Sequence, residues 1–384
     1  MARTSTTQRI KKRRPVTFPD RWDLTQLVKN PVTDIDSQLA DLESKVAKME
    51  AARSTLTSSI SSQNLLGLLH LSEEITRGAS RLGAYAYLRF SENTKNAEIR
   101  SIKTRVEEQL TGLTNRLLFF ELWWQSVDDA NAARLMADAG DLRYHLETIR
   151  HFKPHTLSEP EEKILNLKNV TGRSAVHTLY DLVTNAFTFT MTVSGKKKTV
   201  NREELMTYVR HPKTPVREAA YQELYRVFAT QRDVLGEIYK TLVNDLKSEN
   251  LGLRRFPSPI ASRNLSNDVP DQAVDVLLTS CAKNAEIFQT YFKLKAKICK
   301  IKSMSRYHLY APHRTETKQY KYADAVRMVL DAYRGFSPRL ADLAEQVFRD
   351  RHIDAPTRAG KLGGAYCYSI VPGMTPYVML NYTG

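Results

Sequence analysis

The sequence predicts a mostly α-helical protein with a multi-helix antiparallel bundle architecture and two small β elements. Three observations lead there. Apolar residues recur at helical spacing through most of the 384 residues, and strand-like alternation appears in only two places. Gly and Pro number 15 each, fewer than a turn-rich β-sandwich uses. The length suits two or three domains, and 42% hydrophobic with 26% charged residues is a globular composition.

The first helix is predicted from Ile35, Leu39, Leu42, Val46 and Met49, which step by helical turns behind Thr33 and Asp36 in capping-box spacing. Leu65–Phe90 follows as a helix in spite of Gly67, Gly78 and Gly83, small residues that let two helices approach. Ile99, Ile102, Val106, Leu110, Leu113, Leu117 and Phe120 draw a third stripe. The period then changes. Phe187–Val193 alternates apolar residues with threonine, and Ser194-Gly195 and a second β-prone run complete a β-hairpin near 187–200. Asn201 starts a fresh helix, so the expected organisation is a basic tail at 1–17, a helical domain at 18–200 and a second domain at 201–384. In the second domain Thr214 and Pro215 open one long helix through Leu246, and Pro270 opens another through Ile298. Tyr322–Tyr333, stopped by Gly335, and Ser337–Phe348 follow. Ala365–Ser369 and Tyr377–Tyr382 are predicted as a short strand pair.

Composition excludes several function classes. No window approaches the roughly 18 uninterrupted apolar residues of a membrane span, so no membrane partner is expected. Cys281, Cys299 and Cys367 are scattered, which argues against a disulfide scaffold and for a reducing, cytoplasmic compartment. The net charge of +15 invites a nucleic-acid reading. However, Arg3, Arg9, Lys11, Lys12, Arg13 and Arg14 crowd the first residues, Lys196–Lys198 sit at a hairpin tip, and Lys293, Lys295, Lys297, Lys300 and Lys302 read as the wet side of a helix. No aromatics interleave these clusters as single-strand binders require, so nucleic acid is expected only through non-specific contact with the tail.

The chain holds no complete catalytic constellation. Of the nine histidines only His151 and His155 have the i, i+4 spacing of a helical zinc pair; Phe152 replaces the needed glutamate and Pro154 interrupts the helix. No G-x-S-x-G elbow and no phosphate-binding G-x-x-x-x-G-K-[ST] loop occurs.

Asp354–Ser369, followed by Thr375–Gly384, resembles the stretch just upstream of the zinc helix in oligoendopeptidase F and related thimet-oligopeptidase-type zinc metallopeptidases. Tyr307–Pro312 resembles that family's Y-x-L-Y-x-P element, and Pro215–Tyr221 its V-R-x-x-A-Y helix start. The similarity runs from about Phe18 to Gly384, and its specific part is the last 27 residues; Leu362 departs from the polar residue expected after the lysine.

The resemblance implies hydrolysis of short unfolded peptides inside a helical channel, with zinc as cofactor of the complete family fold. In the family H-E-x-x-H follows the L-N-Y-x-G segment, so this sequence is expected to be an N-terminal portion, inactive alone, with no catalytic or metal-ligating residue and no zinc of its own. The family also implies a substrate-pairing strand whose backbone binds extended peptide. Gly363, Gly364, Ala365, Tyr366 and Cys367 are the candidates, since small residues admit a close backbone. Arg358 and Lys361 either hold a substrate carboxylate or cap a loop, while Tyr307, Tyr310 and Tyr382 are expected in core or channel wall. The alternatives are a non-catalytic helical peptide-binding module and a basic helical nucleic-acid-binding protein.

Overall fold

The computed structural model describes residues 18–193, 195–313 and 318–383. The basic tail at 1–17 lies outside these residues, as does Ser194 at the hairpin tip. Contacts divide the described chain into a larger unit, residues 24–313 with 358–363, and a smaller one, residues 18–23, 318–357 and 364–383. Residue 200, where the sequence pattern changes, falls inside the larger unit.

The larger unit is helical. Its N-terminal part comprises α1 (Asp34–Ala51), α2 (Ser62–Glu92), α3 (Ala97–Ser126), α4 (Asp129–Ala137), α5 (Arg143–His151), α6 (Glu159–Asn169) and α7 (Ala175–Asn185). The predicted stripes do turn inward: Leu42, Val46 and Met49 of α1 meet Leu65 and Leu69 of α2 and Leu113 and Phe120 of α3 in one apolar core. Trp124 closes it, donating Nε1–H to Leu146 O at 2.8 Å. Polar caps begin the long helices, since Ser61 accepts from Asn64 N–H and Asn96 from Ile99 N–H. Thr33 makes no such cap for α1. Asp34 instead ties the preceding turn to the helix start, its Oδ2 accepting from the amides of Lys29 and Asn30 at 2.9 and 3.0 Å.

The hairpin forms as predicted, with β1 (Phe189–Val193) antiparallel to β2 (Lys196–Val200). The alternation sends Phe189 and Met191 inward, onto Leu205 of α8 (Arg202–Tyr208) and Ala220 and Tyr221 of α9 (Thr214–Thr230). Asn201 and Glu204 build a complete capping box on α8. Each of the two long helices predicted beyond it is divided. Gln231 separates α9 from α10 (Arg232–Leu246), and Asn284 separates α12 (Asp271–Lys283) from α13 (Ala285–Ile298). At these breaks Thr230 Oγ1 donates to Val227 O at 2.7 Å, and Asn284 Nδ2 to Ser280 O at 2.8 Å. A short α11 (Ala261–Ser266), unmarked in the sequence, precedes α12. Lys295 departs from its predicted wet face, being buried with Nζ donating to Leu309 O at 2.5 Å.

In the smaller unit α14 (Tyr322–Phe336) runs through Gly335 and ends at Ser337, which caps α15 (Pro338–Arg349). Three strands follow: β3 (Ile353–Pro356), β4 (Tyr366–Tyr368) and β5 (Tyr377–Tyr382). Their order is β3-β5-β4, with β5 parallel to β3 and antiparallel to β4. The predicted strand pair is therefore present, and β3 extends it to a sheet.

Candidate functional site

Two of the sequence blocks that carry the family resemblance meet in the larger unit. Arg217, from Pro215–Tyr221, is only 2% exposed. Its Nε–H donates to Tyr307 O at 2.8 Å, Nη1 to His211 O and Pro212 O at 2.7 Å each, and Nη2 to Thr214 Oγ1 at 2.9 Å. Lys295 holds Leu309 O as described, so two buried cations fix the Tyr307–Pro312 loop by its carbonyls. Of the loop's tyrosines, Tyr307 packs on the hairpin core, and Tyr310 is exposed beneath Arg210.

Residues 358–363 are tied to the end of α2. Thr94 donates both N–H and Oγ1–H to Gly360 O, at 2.8 and 3.0 Å, and Leu362 N–H donates to Ser91 O at 2.9 Å. Gly360 has φ +79, and a Cβ there would stand 2.7 Å from Asn93 Oδ1, so glycine is required twice over. Lys361 is 5% exposed and thus withdrawn from solvent, whereas Arg358 is half-exposed. A Cβ on Gly363 would stand 3.0 Å from Glu203 Oε1.

Gly364 begins the smaller unit's share of the candidate strand. Its φ of +80 turns the chain into β4 in a conformation that L side chains rarely adopt, and its carbonyl accepts from Asn381 Nδ2 at 2.8 Å. Gly364 and Ala365 are exposed, Tyr366 half-buried and Cys367 exposed. On one side β4 pairs with β5 in the register Tyr366↔Met379, Cys367↔Val378, Tyr368↔Tyr377. On its other side no strand pairs with it among the described residues. It is the edge strand of this sheet.

The central strand that supports this edge is rigidly held. Tyr377 and Met379 are fully buried, and Tyr377 Oη–H donates to Asp23 O at 3.1 Å. His352, also fully buried, stacks on the Tyr377 ring at 3.8 Å between centroids. Thr375 Oγ1 donates to Asp350 Oδ2 at 2.8 Å, which leaves its lone pairs for His352 Nδ1–H at 2.7 Å and so assigns the proton to Nδ1. Burial pushes the imidazole pKa down, partly offset by Thr375 O and Asp350. At the far end of β5, Tyr382 Oη–H donates to Tyr320 O at 2.6 Å, and the Tyr322 ring meets Tyr382 edge-on. Burial, with Asp20 and Asp354, pushes the Tyr322 phenol up to about 12.

The zinc that the family implies does not fit the described residues. Among them no three His, Cys, Asp or Glu side chains cluster as a metal would need. His151 ends α5, and His155 lies beyond it in the 3₁₀ turn Lys153–His155. The His155 ring stacks on Phe256 at 3.7 Å with Nδ1 against Arg254 O at 2.8 Å, which makes it a packing residue. His308 is likewise engaged, Nδ1 accepting from Ser305 N–H at 3.0 Å.

Sequence reasoning located the strand pair but missed β3, a four-residue Ile-Asp-Ala-Pro run that ends in proline and buries its aspartate with its neighbours. It quoted Arg217 within a motif without foreseeing its burial. The signal lay in a helix-start arginine with no acidic residue three or four positions away.

A sequence profile of the family described as Oligopeptidase F matches residues 123–189. Group B oligopeptidase PepB of Streptococcus agalactiae is 21% identical over 356 residues, covering 90% of this chain and 58% of its own length. An oligoendopeptidase F homolog of Lactococcus lactis is 22% identical over 363 residues, covering 93% and 60%. The crystal structure of oligoendopeptidase-F from Enterococcus faecium superposes with a TM-score of 0.68 at 17% identity, covering 83% of this chain and 61% of that one. The chain thus spans less than two thirds of the length of these relatives. Within that span, the chain is similar to the oligoendopeptidase F peptidases and shares the mostly helical fold of the solved one.

Proposed function

We propose that this chain forms the front part of a cytoplasmic zinc-dependent oligoendopeptidase, and that its own contribution to the reaction is to hold short, unfolded peptides by their backbone. The observation that carries this reading is the edge position of β4 in its sheet, entered through the left-handed turn at Gly364. An extended peptide laid antiparallel or parallel along Ala365–Cys367 gains main-chain hydrogen bonds whatever its side chains, which suits a peptidase acting on varied short sequences. The central strand supports the reading: with Tyr377 and Met379 buried, β4 is presented on a fixed partner.

The described residues hold none of the side-chain groupings a metal needs. On this reading the chain alone binds peptide without hydrolysing it.

Fluorescence anisotropy of a labelled short peptide, with a parallel cleavage assay, tests the reading. Ala365→Pro removes one N–H donor and fixes φ, and is expected to weaken binding by roughly 1–3 kcal/mol while the melting temperature holds. Ala365→Val keeps the donor and should be milder. Peptide affinity unchanged in both variants would make the strand a packing element only, and cleavage by the chain alone would overturn the binding-only role.

A further inference from the structure

A cavity of about 680 Å³ lies among α2, α3, the π-helical turn Val170–Ser174 and α7, all within the larger unit. That volume suits a small organic molecule, and the wall mixes apolar surface, such as Phe90 and Leu110, with polar groups.

The charges in the wall are unequally satisfied. Lys103 Nζ is paired with Glu107 Oε1 at 2.6 Å, and Arg173 with Asp245 at 2.8 Å and Glu249 at 3.0 Å. Both cations, and the Glu107 carboxylate, are therefore committed. Asp181 is not: among the described residues its half-buried carboxylate makes no hydrogen bond and no ion pair, and only His177 and Lys103 act on it through space. Burial pushes its carboxyl pKa up, as expected of an anion lacking a partner.

A second lining group is also short of a donor. Asn115 Nδ2 donates to Lys163 O at 3.2 Å, which fixes the Asn115 amide and turns its Oδ1 to accept from Asn166 Nδ2 at 2.8 Å. Asn166, on α6, lines the cavity, and among the described residues nothing donates to its Oδ1. The cavity thus has a surplus of acceptors and one uncompensated negative charge. A metal ion would want several anionic ligands, and no such cluster exists among the described residues. A ligand with several N–H donors, one positive charge and some hydrocarbon fits all of these properties.

We propose that this cavity is a binding site for a primary organic ammonium, such as the amino terminus of a short peptide or a free diamine, with Asp181 as its counter-charge and Asn166 Oδ1 as a second acceptor. The site is independent of the β4 edge, so its failure would leave the peptide-strand reading untouched.

Isothermal titration calorimetry on the full chain tests it with leucinamide, putrescine and N-acetyl-leucinamide. Leucinamide or putrescine should bind saturably, and the acetylated compound, which has no ammonium, should not. Stronger binding of leucinamide assigns the ammonium to a peptide terminus, and stronger binding of putrescine to a diamine. Asp181→Asn, which keeps the shape and removes the charge, should weaken the preferred amine by about tenfold or more. Asp233→Asn, an exposed carboxylate of α10, should leave the affinity unchanged. Absence of amine binding at millimolar concentration, equal binding of the acetylated compound, or a folded Asp181→Asn variant that binds like the parent would each overturn the proposal. Should Asp181→Asn fail to fold, the acetylated comparison on the parent protein decides alone.

Discussion

Arg217 donates its Nε–H to the carbonyl oxygen of Tyr307 at 2.8 Å, joining the start of α9 to a loop ninety residues further along the chain. Among the described residues no carboxylate pairs with this buried guanidinium; carbonyls and one hydroxyl satisfy it, and burial pushes its pKa down. The arrangement uses the planar fork of arginine, because the donors diverge toward His211, Pro212, Thr214 and Tyr307 at once.

Arg217→Lys should therefore be far from conservative. A single ammonium cannot reach all four acceptors, and each buried carbonyl left without a donor has a desolvation cost. The expected loss is roughly 2–4 kcal/mol of unfolding free energy in urea titration. Arg217→Lys within about 0.5 kcal/mol of the parent would mean that water replaces the fork.

Buried histidines set a direction for pH dependence. His352 and His308 both have pKa values lowered mainly by burial, with Arg217 adding to the effect at His308. A folded pKa below the unfolded one means that the unfolded chain takes up protons first, so stability rises with pH. The histidine contribution is complete above the unfolded value of about 6.5 and is lost as pH falls through that value toward the folded one. Thermal melts between about pH 7.5 and 5 should show the parent losing stability on acidification, with a shallower slope in His352→Gln. The slope is the readout, because losing the stack on Tyr377 lowers stability at every pH. Parallel slopes would exclude His352 as a titrating contributor.

The parts of this fold legible in the sequence are those whose burial follows from one-dimensional spacing. Leu42, Val46 and Met49 could only form a stripe on a helix, and Phe189 and Met191 only an inward face of a strand. The parts that were not legible depend on partners distant in sequence. Ile353–Pro356 becomes a strand because β5 supplies parallel pairing some twenty-five residues later, and that third strand makes β5 the centre of the sheet. The burial of Lys295 and Arg217 contradicts the surface preference of their residue types, and it depends on carbonyls offered by the Tyr307–Pro312 loop. Apolar periodicity does not record the divisions at Gln231 and Asn284.

The glycines of α2 predict opposite signs for one substitution. At Gly78 a Cβ would stand 2.8 Å from Leu42 Cδ2 in the packed core, while at Gly67 nothing lies within 4 Å. Gly67→Ala should stabilise by about 0.5–1 kcal/mol, the gain expected for alanine in a helix interior. Gly78→Ala carries the same propensity gain but must displace Leu42, so it should be neutral or destabilising. Thermal melts of the two variants side by side test this, and equal stabilisation would show that Leu42 moves aside freely.

The apolar faces of α12 and α13 predict the solution behaviour of the isolated chain. Neither helix buries an apolar side chain, and the one buried residue on the pair is Lys295. Leu277 and Ile287 are 62% and 65% exposed, and Leu278, Phe288 and Leu294 are exposed with them. Each such side chain forgoes about 1.5–3 kcal/mol of burial energy, so the five together favour any contact that covers them. The purified chain should bind an environment-sensitive apolar dye and self-associate as concentration rises. Leu277→Lys with Phe288→Lys should reduce both effects while changing unfolding free energy by less than about 0.5 kcal/mol, since neither position packs against the core. A large loss of stability in the double variant would place these side chains in a packed environment, and unchanged dye binding would move the sticky surface to another element.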